Sequence, residues 1–212
     1  MTAITLLLAG LLTGAGVSLP GRAVESAQTA ALAPVSIPVP AVRAFIGKTE
    51  RLLFQATGDL NQDGYPDTLI VVEKPAGGNA DQPQDRSREL RILTRDRNGS
   101  LILAKRSAHA IMCKLCGGAF GDPFAGITIN GSNFTIKHYG GSRDRWRIDA
   151  SFGYSRIDRT WQLTRVTQRL SDTLDLANRS TTVFLAGKQF GKVAIDQFRV
   201  DGDVSWMKKA PY

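Results

Sequence analysis

The sequence predicts a mainly β protein, an antiparallel meander, barrel or sandwich with little helix. Two observations predict it. Short runs of β-branched and other apolar residues recur along the 212 residues, split each time by turn chemistry. Beyond the N-terminal apolar run, no helical period of apolar residues persists long enough for an amphipathic helix.

The runs that read as strands are residues 51–57, 68–73, 89–95, 101–106, 126–129, 133–138, 145–154, 161–166, 181–185 and 192–198. Asn98-Gly99 and Asn130-Gly131 separate neighbouring runs, as two-residue hairpin loops with positive φ at both central residues would. Residues 75–85 are polar and rich in Gly and Pro, which predicts a mobile surface loop. Residues 172–180 are expected to hold one or two helical turns.

The N-terminus sets the expected organisation. Ala3 to Leu19 are apolar or small, with a dense stretch Leu6-Leu7-Leu8-Ala9-Gly10-Leu11-Leu12, and the first charge is Arg22. This reads as the hydrophobic region of a secretory signal over residues 1–23, and Gly21-Arg22-Ala23 supplies the small residues a cleavage site needs. Cleavage after Ala23 would leave 212 − 23 = 189 residues with no membrane span. Losing Arg22 lowers the net charge from +8 to +7. Residues 24–45 read as an extended linker or edge segment, and residues 46–212 as a single β-rich domain. The expected compartment is the periplasm or the medium. A basic protein there suggests an anionic neighbour.

Asp59-Leu60-Asn61-Gln62-Asp63-Gly64-Tyr65-Pro66-Asp67 spaces oxygen side chains two apart around a glycine. Calcium takes six to eight oxygens, and residues spaced by two can surround one point if the chain turns sharply at Gly64. Asp59, Asn61, Asp63 and Asp67 would offer side chains, and Tyr65 its carbonyl. Ile70 stands where an EF-hand has its bidentate Glu, and residues 68–72 read as a strand rather than a helix. The segment resembles the calcium loops of FG-GAP and VCBS-type repeats in bacterial secreted proteins, in which the loop joins two strands. That resemblance covers a single copy; Asp201-Gly202-Asp203 is too short for a second. It implies Ca2+ as a structural cofactor.

Cys113 and Cys116 are the two cysteines, in Cys113-Lys114-Leu115-Cys116-Gly117-Gly118. In an oxidising compartment they would form a local disulfide. A redox pair and a zinc site completed by His109 and His138 are the alternatives, though Gly117-Gly118 disfavours the helix a redox pair normally uses.

From Lys137 to Arg169 eight Lys and Arg face three Asp, with Trp146, Phe152, Tyr154 and Trp161 interleaved. Alternation puts Arg145, Arg147 and Asp149 on one strand face and Trp146 and Ile148 on the other. Arg143, Arg145, Arg147 and Trp146 mark a candidate surface for an anionic ligand. Export makes a protein or cell-envelope component the expected partner, and nucleic acid is not expected. The chain carries neither the Gly-x-Ser-x-Gly of a hydrolase elbow nor His-Glu-x-x-His. The expected function is an exported, calcium-stabilised, non-enzymatic binding or structural module, within which an inhibitor or immunity protein would fit. The alternative is a secreted hydrolase or a thiol–disulfide protein using Cys113 and Cys116.

Overall fold

The computed structural model describes residues 39–75, 87–175 and 177–200. The expected signal segment 1–23, most of the segment 24–45, nearly all of the polar loop 75–85 and Asp201-Gly202-Asp203 lie outside the described residues.

Among the described residues nine strands form two antiparallel meanders. The first sheet holds β1 (Arg51–Gly58), β2 (Asp67–Glu73), β3 (Arg88–Arg95) and β4 (Leu101–Ser107) in chain order. The second holds β5 (Phe124–Asn130), β6 (Asn133–Gly141), β7 (Asp144–Ser155), β8 (Thr160–Asp172) and β9 (Arg179–Leu185), also in order. Each strand pairs with the next in the chain, through tight turns at β3–β4 and β5–β6 and longer connections at β1–β2 and β2–β3, which satisfies the strand backbone groups. The protein is therefore mainly β, as its apolar runs predict.

One core lies between the sheets. Leu69, Val71, Leu90 and Ile92 face it from the first sheet, and Ile136, Ile148, Ala150, Phe152, Leu163 and Val166 from the second. Phe134 stacks on Phe152 with ring centroids 5.2 Å apart, and Phe198 meets Phe152 edge-on at 5.2 Å. Where β1 and β5 come together, Phe54 meets Phe124 edge-on at 5.9 Å. The first sheet is buried on its other face too. There Val42 and Ile46 cover Ile70, Val72 and Leu93. Arg91 fixes this cover with a forked pair to Glu50 at 2.6 and 2.7 Å and a bond to the Phe45 carbonyl.

Four expectations need correction. Residues 39–45 are not an extended or edge segment: Val39–Val42 is one helical turn continued by a 3-10 turn, Arg43–Phe45. The covering role explains this, since a helical turn presents Val42 and Ile46 to one side. Residues 192–198 are not a strand. They run along the start of β8 through Leu163 N–H to Val193 O (2.8 Å) and Ile195 N–H to Trp161 O (2.9 Å), then turn so that Ile195 and Phe198 enter the core. The described residues between β8 and β9 form a turn rather than helix, organised by Asp172 and Asp175, which accept the Leu174 and Ala177 amides. The two Asn-Gly hairpins have positive φ at Gly99 (+83°) and Gly131 (+58°) but not at the asparagines. Asn130 pairs with Asn133 at the end of the ladder, which leaves Gly131 and Ser132 as the loop.

The side chain of Trp161 ties the two sheets together. It is buried on β8, and its indole N–H donates to the Leu60 carbonyl at 2.9 Å in the loop between β1 and β2. Trp161→Phe keeps an aromatic ring but leaves that carbonyl unpaired. The expected cost is about 1–3 kcal/mol, read as a lower urea midpoint with unchanged slope.

Candidate functional site

The acidic loop joins β1 to β2, and Asp67 is the first residue of β2. Its local geometry follows from its short polar side chains. The Asp59 carboxylate accepts the amides of Asp63 and Gly64, both at 3.1 Å. Asn61 Oδ1 accepts the same Asp63 amide at 3.1 Å, and Asp63 Oδ1 accepts the Tyr65 amide at 2.9 Å. Oxygens of Asp59 and Asn61 thus lie within hydrogen-bond reach of one N–H. Gly64 has φ +88°, which a side chain would strain. Leu60 points the other way and is fully buried in the core.

Asp67 plays a different part from the one its spacing implied. Its carboxylate is buried and accepts three backbone amides, from Leu60 (2.9 Å), Asn61 (3.1 Å) and Arg95 (3.0 Å). It fastens the loop to β3. Burial raises its pKa to about 6, the neighbouring Asp63 charge adds to this, and the three amides oppose it. The remaining donor set for a hard cation is Asp59, Asn61 and Asp63 with the Tyr65 carbonyl, all oxygen, which fits calcium chemistry. Among the described residues, however, no group of three or more His, Cys, Asp or Glu side chains converges as a metal site. Asn61 also donates to Asp63 Oδ2 at 2.8 Å.

Cys113 and Cys116 form a disulfide, with Cα atoms 5.2 Å apart. The zinc alternative fails with it, because both thiolates are spent. His138 is fully buried, and its Nε2 accepts the Met112 amide at 3.2 Å. Burial, helped by the charge of Arg88, lowers the His138 pKa to about 4, so the ring is neutral near pH 7. The glycines that follow the disulfide serve close packing. Gly117 N–H donates to Gly121 O at 2.8 Å, and Gly141 N–H to Gly117 O at 2.9 Å. A Cβ on Gly140 would lie 2.8 Å from Gly117 O and 2.5 Å from Trp146. The loop therefore lies directly on the ends of β6 and β7.

Beside this loop the side chain of Arg88 is buried between two carboxylates. It reaches Glu73 Oε2 at 3.0 Å and Asp122 through a fork at 2.6 Å for each arm. Burial pushes the Glu73 carboxyl up, but hydrogen bonds from Arg88 and Arg51 outweigh it and hold the pKa below the usual range.

The sequence-predicted cationic surface is only partly one surface. The outward face of the second sheet carries Tyr139, Arg147, Arg169 and Thr181 in one cross-strand row, and Arg145, Ser171 and Arg179 in the next. Lys137, Asp149 and Thr167 form the row on the other side, with Ser151 and Arg165 beyond it. Six cations thus share the face with one carboxylate, Asp149, which pairs with Arg147 and Arg169, each at 2.9 Å. Trp146 is not on this face; it packs toward the core. Arg143 is not free for a ligand either, since it grips Asp172 at 2.7 to 3.0 Å and holds that carboxyl down at about 2. Arg169, Arg179 and Tyr139 are additions that alternation within one strand cannot reveal.

Two outcomes test these assignments. Arg88→Met removes the buried partner of Glu73 and leaves the carboxylate to Arg51, with an expected loss of roughly 1.5–3 kcal/mol at pH 7. The loss should shrink at acid pH, where Glu73 can take a proton; urea unfolding at pH 7 and pH 4 measures both. Asp67 binds its proton more tightly folded than unfolded, so it favours folding below about pH 4 and withdraws that support as pH rises through about 6. In chelator, Asp67→Asn should reduce the fall in unfolding free energy across that window by up to about 3 kcal/mol.

No protein-family model, curated protein or solved structure matches this chain.

Proposed function

We propose that this protein is an exported, calcium-stabilised binding module, without catalysis of its own, that docks an anionic partner of the cell envelope on the outward face of its second sheet. The charge imbalance of that face carries the reading. Six Lys and Arg side chains on four adjacent strands are opposed there by Asp149 alone. A solvated face that served solubility would intersperse both signs. Export is supported by the N-terminal apolar run and by the Cys113–Cys116 disulfide, which suits an oxidising compartment. Among the described residues no helix is long and apolar enough to cross a membrane.

Calcium belongs to the stability of the module. The resemblance of residues 59–67 to FG-GAP and VCBS-type loops supports it, as does an all-oxygen donor set in Asp59, Asn61, Asp63 and the Tyr65 carbonyl. The loop is also a junction. Leu60 and Trp161 join it to the core and β8, and Gln62 reaches Ser132 at 2.9 Å in the β5–β6 turn. A cation bound to the native loop alone would stabilise both sheets by mass action.

Two experiments test the halves of the reading. At free calcium one hundred times the dissociation constant, stabilisation is about 2.7 kcal/mol, or roughly 5–10 °C in melting temperature for a chain this size. Chelation should remove it, and Asp59→Asn/Asp63→Asn should abolish the calcium response. An unchanged melting temperature in chelator would refute the metal. For binding, washed cell envelopes should retain the protein in a salt-dependent way. Retention should be lost in Lys137→Gln/Arg145→Gln/Arg165→Gln/Arg179→Gln and kept in Lys48→Gln/Arg97→Gln. Equal retention of both variants would sink the docking face.

A further inference from the structure

Resting on that reading of the outward face, we infer that its ligand site is a cleft around Arg145, Arg169 and Arg179, and that it takes an acidic polysaccharide bearing uronate carboxylates. The cleft has a volume of about 420 Å³; Tyr139, Ser171 and Thr181 line it with these arginines, and so does Asp172, whose carboxylate is neutralised by Arg143.

Arg145 is built to wait for a partner. Its guanidinium lies 3.7 Å from the centroid of the Phe120 ring. One terminal nitrogen, Nη1, is shielded from water and has no hydrogen-bond partner among the described residues. A shielded guanidinium N–H without an acceptor is costly. The cleft-facing side of the guanidinium is left for an incoming carboxylate, whose geometry the planar fork of arginine suits. The ring that orients Arg145 is supplied by the glycine-packed turn that follows the disulfide, so the guanidinium is positioned before any ligand arrives. Among the described residues Arg179 has no ion pair, and Arg169 keeps one arm on Asp149.

The rest of the cleft points from bare anions to sugars. Arg145 and Arg179 flank Ser171 in a single cross-strand row. Two strand spacings separate their Cα positions, roughly 10 Å. A 1,4-linked uronate chain with a two-fold twist repeats a carboxylate on the same side at every second sugar, a period close to that separation. The hydroxyls of Ser171 and Thr181 lie between and beside the cations, where sugar hydroxyls need partners. Tyr139, in the adjacent row, and Phe120, against Arg145, are exposed and meet edge-on at 5.4 Å, offering ring surface to the C–H face of a sugar. A lipid headgroup would use the cations and leave these groups idle. Nucleic acid could also stack on the rings, but the disulfide in the loop that holds Phe120 favours a compartment where acidic glycans are the commoner polyanion.

The test is calorimetry of the full chain at fixed free calcium. The probes are a 1,4-linked hexaglucuronate, its methyl ester and a single-stranded oligodeoxynucleotide. Saturable binding of the hexaglucuronate is expected, with at least tenfold weakening in the methyl ester. Arg145→Gln/Arg179→Gln should weaken it at least tenfold, and Arg145→Lys, which keeps charge but not the fork, by an intermediate amount. Lys48→Gln/Arg97→Gln should change it less than twofold, and melting curves confirm that each variant is folded. Tighter binding of the oligodeoxynucleotide, equal binding of the methyl ester, or equal weakening by both double variants would overturn the assignment. Absence of hexaglucuronate binding while charge-sensitive envelope retention persists would overturn the glycan alone. Absence of both would remove the docking face with it.

Discussion

The buried carboxylate of Asp67 organises one end of this protein. It draws the amides of Leu60 and Asn61 inward from its own loop and takes the Arg95 amide from β3. With those bonds made, Leu60 falls into the core and its carbonyl faces the indole of Trp161. Gln62, on the same loop, then reaches Ser132, and its carbonyl accepts from Arg156 at 3.4 Å. Three turns from two sheets are registered against each other through a single side chain. Hydrogen bonds to a charged acceptor are worth about 1.5–3 kcal/mol each, while burying a carboxylate costs several. The raised proton affinity of Asp67 says that the amides offset only part of that cost, with the Asp63 charge nearby adding to it.

The fold was legible because both sheets are meanders. A meander needs only strands and short turns, and both leave local marks: Val71 and Val72 alternate faces, and Asp96 to Ser100 carries turn chemistry. What local marks miss is a segment whose partner is distant. Val39–Val42 is helical because it lids Ile70 and Val72 far along the chain, and Phe198 leaves the strand path because Phe152 gives it a core position. Neither partner leaves a trace in the segment's own residues.

The candidate site divides in the same way. Alternation within β7 correctly separates Arg145 and Arg147 from Trp146. It cannot place Arg169 and Arg179 beside them, because that depends on register across two ladders, including the bulge where the β7–β8 pairing shifts between Ser151 and Phe152. Nor can it show that Arg143 is occupied by Asp172, or that a ring from the disulfide loop covers Arg145. The Cys-x-x-Cys-Gly-Gly motif is informative in retrospect: a Cβ on Gly117 would lie 2.4 Å from Gly121 O, and Gly118 has φ +66°, so both glycines serve the turn that brings the loop to Gly140 and Gly141.

The two ends of the sandwich respond to protons with opposite sign. β2 begins at Asp67 and ends at Glu73, so one strand carries both responses. At the Glu73 end, Arg88 and Arg51 hold the carboxyl ionised, so its stabilisation is present at neutral pH and is lost as the solution is acidified through its lowered pKa. At the Asp67 end the raised pKa means that neutral pH, not acid, is the less favourable condition for that group. A divalent cation beside Asp63 would oppose the second response and leave the first alone, because it would replace the Asp63 repulsion with attraction for the Asp67 charge, while burial would still favour the proton. On the proposed reading the cation therefore brings both ends closer to being firm at the same pH, with the outward face of the second sheet held between them.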